Sequence, residues 1–122
     1  MGVLTLAAVI TMTSGAHAAG DAANGAKLFK TKLCASCHTL KPEKNMTGPS
    51  LAGVFGRQVG TAAKFKFSPD YAKSKAKWDE KTLDAYLTDP KKMFASSRMT
   101  VKVPNAKDRA DLIAYLKTNP TQ

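Results

Sequence analysis

Cysteine is scarce in this chain of 122 residues: there are two, both inside Cys34-Ala35-Ser36-Cys37-His38. A bond between them would close too small a loop to restrict the unfolded chain, which excludes a disulfide-stapled scaffold. Histidine is as rare, with only His17 and His38, so Cys34, Cys37 and His38 fall short of the four ligands of a structural zinc site. No apolar run approaches the roughly 20 residues that cross a bilayer. There is no alternating strand segment of useful length, no internal repeat and no low-complexity tract. Acidic residues are outnumbered, 9 against 19 Lys and Arg, giving a formal charge of +10. Such a balance favours acidic partners, whether nucleic acid, anionic lipid or an acidic protein patch. Zinc-finger spacing and an RNA-reading aromatic string are both missing, so nucleic acid is set aside.

What is present begins with a leader pattern. An apolar run from Gly2 to Met12, a polar break at Thr13-Ser14-Gly15 and the Ala16-His17-Ala18 motif read as a secretory signal peptide over residues 1–18. No Lys or Arg precedes the run. Residues 19–122 then form one domain carrying all the charge. Helical signals dominate it. Asp21 or Asn24 caps a helix to about Lys32, with Leu28, Phe29 and Leu33 along one side. Thr39 to Gly60 is glycine- and proline-rich loop. Ser68-Pro69-Asp70 starts a short helix to about Lys75, and Asp79 caps another through Leu87 that stops at Asp89-Pro90. Asn105 caps the last, with Asp108 placed as in a capping box and Leu112, Ile113 and Leu116 at helical spacing. The class is all-α, four or five short helices and long loops. A domain of this size buries only about two-thirds of its chain surface, and a large apolar cofactor at its centre would complete the core.

Cys34-x-x-Cys37-His38 supplies that cofactor. It is the attachment motif of c-type haem: two thiols one helical turn apart add to the vinyl groups on one porphyrin edge, and the adjacent His38 falls under the iron. A thioredoxin-like redox pair also uses Cys-x-x-Cys, but needs a βαβ frame that the flanks here do not offer. The second axial ligand must be a methionine, since His17 leaves with the leader. Met46 sits too near His38 in sequence to reach the far face easily, and Met93 follows Pro90 in a final helical turn where side chains pack. Met99, in the non-periodic Ala95–Pro104 segment, is favoured over Met93 because such a segment can drape over the distal face.

The ordered run of matches beyond this motif resembles the class I cytochromes c of the short mitochondrial and bacterial type. It includes Gly25 and Phe29, Thr47-Gly48-Pro49-Ser50-Leu51, Gly56-Arg57 and Trp78. Tyr86-Leu87-Thr88-Asp89-Pro90-Lys91-Lys92 and Asp111-Leu112-Ile113-Ala114-Tyr115-Leu116 complete it. The resemblance spans nearly the whole of residues 19–122 and implies that fold wrapped around one covalent haem c. It makes Met99 the distal ligand opposite His38, gives the Pro49 carbonyl to His38 Nδ1 and assigns Arg57 and Trp78 to a buried propionate. It also gives the Tyr86 hydroxyl to the ligand sulfur. Three departures stand out: Ala95-Ser96-Ser97 replaces the family's Pro-Gly-Thr, Phe67 replaces a propionate-binding tyrosine, and Val101 replaces an aromatic at the haem edge.

The function implied is one-electron transfer with both axial positions filled, by a monomer in the bacterial periplasm, not by an enzyme. Lys27, Lys32, Lys91, Lys92, Arg98 and Lys102 would surround the exposed haem edge and meet acidic patches. The partners would be respiratory or photosynthetic membrane complexes (a cytochrome bc-type donor, a terminal oxidase or reaction-centre acceptor) or periplasmic redox enzymes. An open sixth position, as in a c-type haem peroxidase or gas sensor, is the competing expectation.

Overall fold

The computed structural model describes Gly2 and residues 20–121, so the expected leader lies, apart from Gly2, outside the described residues. Among the described residues there are five helices and one 3-10 turn: α1 (Ala22–Thr31), the turn Cys34–Ser36, α2 (Pro69–Ala72), α3 (Glu80–Thr88), α4 (Pro90–Met93) and α5 (Ala106–Lys117). Among the described residues there is no strand, only one antiparallel bridge, Gln58 to Lys77. The all-α expectation holds.

The caps of the long helices are those read from the sequence. Asp21 accepts from the Asn24 amide at 3.2 Å, Asp79 from Thr82 at 2.8 Å and Asn105 from Asp108 at 3.1 Å. Each satisfies a donor that the first helical turn leaves without an intrahelical partner. The capping box on α5 is only half formed, because the Asp108 carboxylate faces Lys32 at 3.7 Å. α2 is shorter than expected, ending at Ala72 rather than Lys75. Beyond it the chain turns to pair with the preceding loop: Val59 donates to the Ala76 carbonyl at 2.9 Å, Trp78 to Arg57 at 2.9 Å and Gly56 to Trp78 at 2.6 Å. A longer helix would forfeit those bonds.

α1 and α5 cross at close range. Gly25 lies so close to α5 that a Cβ there would stand 2.0 Å from the Asp111 carbonyl oxygen. Phe29 meets Tyr115 edge-on, ring centroids 5.9 Å apart, over buried Leu112. Asp111 is buried at 2 % exposure and takes the Asp21 amide, the Asn24 side chain and the Lys107 ammonium at 2.7, 2.7 and 2.6 Å. These donors hold its carboxyl down to about 2, the Lys107 bond contributing most. The core continues through Leu40, Val54, Val59, Trp78, Leu83, Leu87, Phe94 and Val103. The irregular stretches 37–68 and 94–105 contribute Leu40, Val54, Val59, Phe94 and Val103 to it.

Candidate haem site

The proximal side is built by the chain just after α1. Leu33 takes a left-handed backbone (φ 66) that ends the helix and opens the Cys34–Ser36 turn. The turn is closed by the Cys37 and His38 amides donating to the Cys34 carbonyl at 3.1 and 2.9 Å. No disulfide joins Cys34 and Cys37, and both are partly buried. His38 Nδ1 lies 2.7 Å from the Pro49 carbonyl, as the resemblance implied. That bond fixes the ring and leaves Nε2 as the available metal donor. Burial lowers the His38 pKa against the opposing pull of the Pro49 carbonyl, which favours the neutral imidazole a metal needs. Gly48, quoted in the sequence only as part of a loop, proves essential to this geometry: a Cβ there would sit 2.3 Å from His38 Cε1.

Arg57 and Trp78 are brought together by the backbone pairing already described. Arg57 donates from Nη1 to the Ala52 carbonyl at 3.0 Å and from Nη2 to Ser50 at 3.1 Å. Its Nε is buried with no partner among the described residues, and burial lowers its pKa. A buried donor left in this way is costly unless an acceptor meets it, and a carboxylate such as a haem propionate fits. Trp78 is buried and packs edge-on against Tyr86 at 4.9 Å.

The three methionines outside the expected leader sit in different settings. Met46 is 48 % exposed. Met93 is in α4 and lines a shallow surface cavity with Ala85, Thr88, Asp89 and Lys92. Met99 is in an irregular segment, partly buried against the core, its amide held by Ser97 Oγ at 3.2 Å. The Tyr86 hydroxyl meets that of Tyr71 at 2.9 Å, while Tyr71 donates to buried Ser97 at 2.7 Å. Burial, then the Tyr71 bond, pushes the Tyr86 pKa well up, so the phenol keeps its proton. Tyr71 and Phe94, which stack at 4.2 Å, were not singled out by sequence reasoning; nothing in periodicity sets them together. Phe67, in the place of a tyrosine, packs on Phe65 at 4.9 Å and brings no hydroxyl.

The six basic residues expected at the docking face divide. Lys27, Lys91, Lys92 and Arg98 are exposed and form no ion pair among the described residues. Lys32 is paired with Asp108 at 3.7 Å and Lys102 with Asp89 at 3.4 Å.

A Cys-x-x-Cys-His turn with a buttressed histidine, inside a small helical shell, defines a protein that carries covalent haem. The comparisons with known proteins identify which. The Cytochrome c family profile matches residues 22–120. A cytochrome c2 iso-2 of Magnetospirillum fulvum is 49 % identical over 87 residues, covering 70 % of this chain and 91 % of that protein. The cytochrome c of Nigella damascena is 44 % identical over 101 residues, covering 81 % and 90 %. The structure of cytochrome c2 from Rhodospirillum centenum superposes with a TM-score of 0.73 at 36 % identity, over 82 % of this chain and 98 % of that one. The chain belongs to the cytochrome c family, class I. It is an electron carrier with covalently attached haem c, with which the Cys34-x-x-Cys37-His38 motif is consistent, and its partners are redox proteins. These relatives favour the carrier over the peroxidase or sensor expectation.

Proposed function

We propose that this chain, exported to the bacterial periplasm as residues 19–122 after loss of a leader, shuttles single electrons between membrane redox complexes of respiration or photosynthesis. It acts as a monomeric carrier and not as an enzyme. His38 and Met99 would hold the iron, Arg57 and Trp78 a propionate. Bound there, the haem supplies a one-electron iron couple, and methionine ligation in a buried site favours its reduced form. The observation that carries the reading is the setting of Met99. Of the three methionines outside the leader, it alone is both packed against the core and on an irregular segment tied down beside its own backbone. With its backbone held there, Met99 would offer its sulfur to the iron as a sixth donor, in the place that oxygen or peroxide would otherwise take.

The remaining residues maintain this state. Pro49 and Gly48 orient His38, the Tyr71–Tyr86–Ser97 hydroxyls satisfy one another in the buried distal region, and Arg57 provides an acceptor-seeking Nε. Exposed Lys27, Lys91, Lys92 and Arg98, with the partly neutralised Lys32 and Lys102, form a basic rim suited to brief contact with acidic patches. The A-x-A pattern ending at Ala18 supports export. The test is substitution of the methionines in the haem-loaded protein. Met99→Ala should abolish the ferric Met-to-iron charge-transfer band, lower the potential and admit added ligands. Met93→Ala and Met46→Ala should keep the band. Loss of the band in Met93→Ala would move the ligand to α4 and overturn this assignment.

A further inference from the structure

The segment Phe94-Ala95-Ser96-Ser97-Arg98-Met99 lacks the proline that stiffens the matching loop in the resembled family. Its backbone offers little of its own to hold it: Phe94 and Ser97 close single turns on Pro90 and Phe94 at 2.9 and 3.0 Å. The turn at α2, some 26 residues earlier in the chain, grips it instead at three successive places. Tyr71 stacks on Phe94 with centroids 4.2 Å apart and donates its hydroxyl to Ser97 at 2.7 Å. Asp70 accepts the Ser96 amide on Oδ2 at 3.2 Å and the Ser96 hydroxyl on Oδ1. Ser68 joins through its hydroxyl, 2.8 Å from that of Ser96. Ser97 then passes the restraint on by accepting the Met99 amide at 3.2 Å.

We infer that the α2 turn, Ser68 to Tyr71, is a latch that positions the Met99 loop, with Asp70 as its chief positioning residue. The latch supplies from outside the rigidity that a proline would supply from within. Two features make Asp70 the centre. A carboxylate is a stronger acceptor than a neutral hydroxyl, and it takes both an amide and a hydroxyl from one residue of the loop. The Ser96 hydroxyl, more than any other neighbour, holds the Asp70 carboxyl below its ordinary range, so it stays ionised and accepting. Ser96 is otherwise exposed, so water would compete for these bonds if the loop lifted. The inference rests on the reading of Met99 as the distal ligand. A loop that opens locally, without global unfolding, would expose the iron's sixth position.

The experiment uses haem-loaded full-length protein in the ferric state and imidazole as the competing ligand. Asp70→Ala should bind imidazole about tenfold or more tightly, the scale on which groups behind a metal ligand act. Amide exchange at Ser96 should quicken in the same variant. Ser96→Ala should do likewise, and the double variant should add little, because the two side chains form one interaction. Asp70→Asn, which retains an acceptor, should fall between. Asp79→Ala removes a comparable cap from α3 and serves as the control: it should lower stability and leave imidazole affinity alone. Wild-type affinity and exchange in Asp70→Ala would overturn the latch, as would an equal rise in Asp79→Ala. Met99→Ala separates the two readings. If it keeps the charge-transfer band, the ligand assignment fails and the latch with it. If it loses the band while Asp70→Ala behaves as wild type, only the latch fails.

Discussion

Gly25→Ala adds one methyl group at the α1–α5 crossing. The new Cβ would stand 2.0 Å from the Asp111 carbonyl oxygen, 2.7 Å from its carbon and 2.7 Å from Tyr115 Cβ. Two of these three atoms are backbone, and the third is fixed to it, so no side-chain rotation relieves the clash. Bringing the closest contact to ordinary separation requires the helices to part by about 1.4 Å. That movement would stretch the 2.7 Å bonds from Asp21 and Asn24 to Asp111 and loosen the Phe29–Tyr115 contact. Overpacking of a tight core costs about 1–3 kcal/mol, and this contact, being to backbone, belongs at the upper end or beyond. Against it stands the helix propensity of alanine over glycine, about 1 kcal/mol. The net expectation is a loss of about 2 kcal/mol, or roughly 8–16 °C in melting temperature for a domain of this size. Urea unfolding of haem-loaded protein, followed by far-UV circular dichroism, measures it. Ala23→Gly, at an exposed position on the same helix, should cost about 1 kcal/mol by propensity alone. If Gly25→Ala matched or exceeded the wild type with an unchanged m value, propensity would have won and the packing argument would be wrong.

Three other outcomes follow from the same geometry. Asp111 has a carboxyl pKa of about 2, depressed by Lys107, Asn24 and the Asp21 amide, so its stabilisation is complete above the unfolded value near 4. It is lost as pH falls through about 2, and Asp111→Asn should remove that part of the acid dependence in pH-titrated unfolding curves. Gly48→Ala, placing a methyl against the His38 ring, should reduce covalent haem yield and disturb proximal ligation, read from the Soret spectrum of purified protein. Reversing Lys91 and Lys92 to Glu should slow electron transfer with an acidic redox partner at low salt, with less effect once screening shortens to about 8 Å. The same reversal at Lys73 and Lys117 should do much less, since Lys117 is already paired with Glu80 at 2.8 Å; equal effects would mean that only net charge matters.

Much of this protein was legible along the chain. Cys34-x-x-Cys37-His38 points to covalent haem through its spacing, because two thiols one turn apart reach the vinyl groups on one porphyrin edge and the adjacent imidazole falls under the iron. Asp21, Asp79 and Asn105 announced their helices because a cap acts on amides two or three residues away. The Pro49 carbonyl on His38 was reached through the resemblance, and the geometry agrees at 2.7 Å.

What the chain order could not express are contacts between distant residues whose types have no special spacing. Asp111 looks in sequence like a surface residue of a helix, yet it is buried against residues 87 and 90 positions away. Asp70 and Ser96, or Tyr71 and Ser97, are ordinary turn and loop residues until the fold sets them side by side. Tertiary structure likewise decided that Tyr86 pairs with Tyr71, that Gly48 makes room for His38, and that Lys32 and Lys102 are partly neutralised while Lys91 and Lys92 are not. The physical division is one of range. Side-chain caps and thiol spacing act over a few residues, so the sequence alone located the starts of the capped helices and the haem-attachment motif. Close packing and buried polar pairing act across the folded interior, so only the tertiary structure decided how the distal loop and its methionine are held.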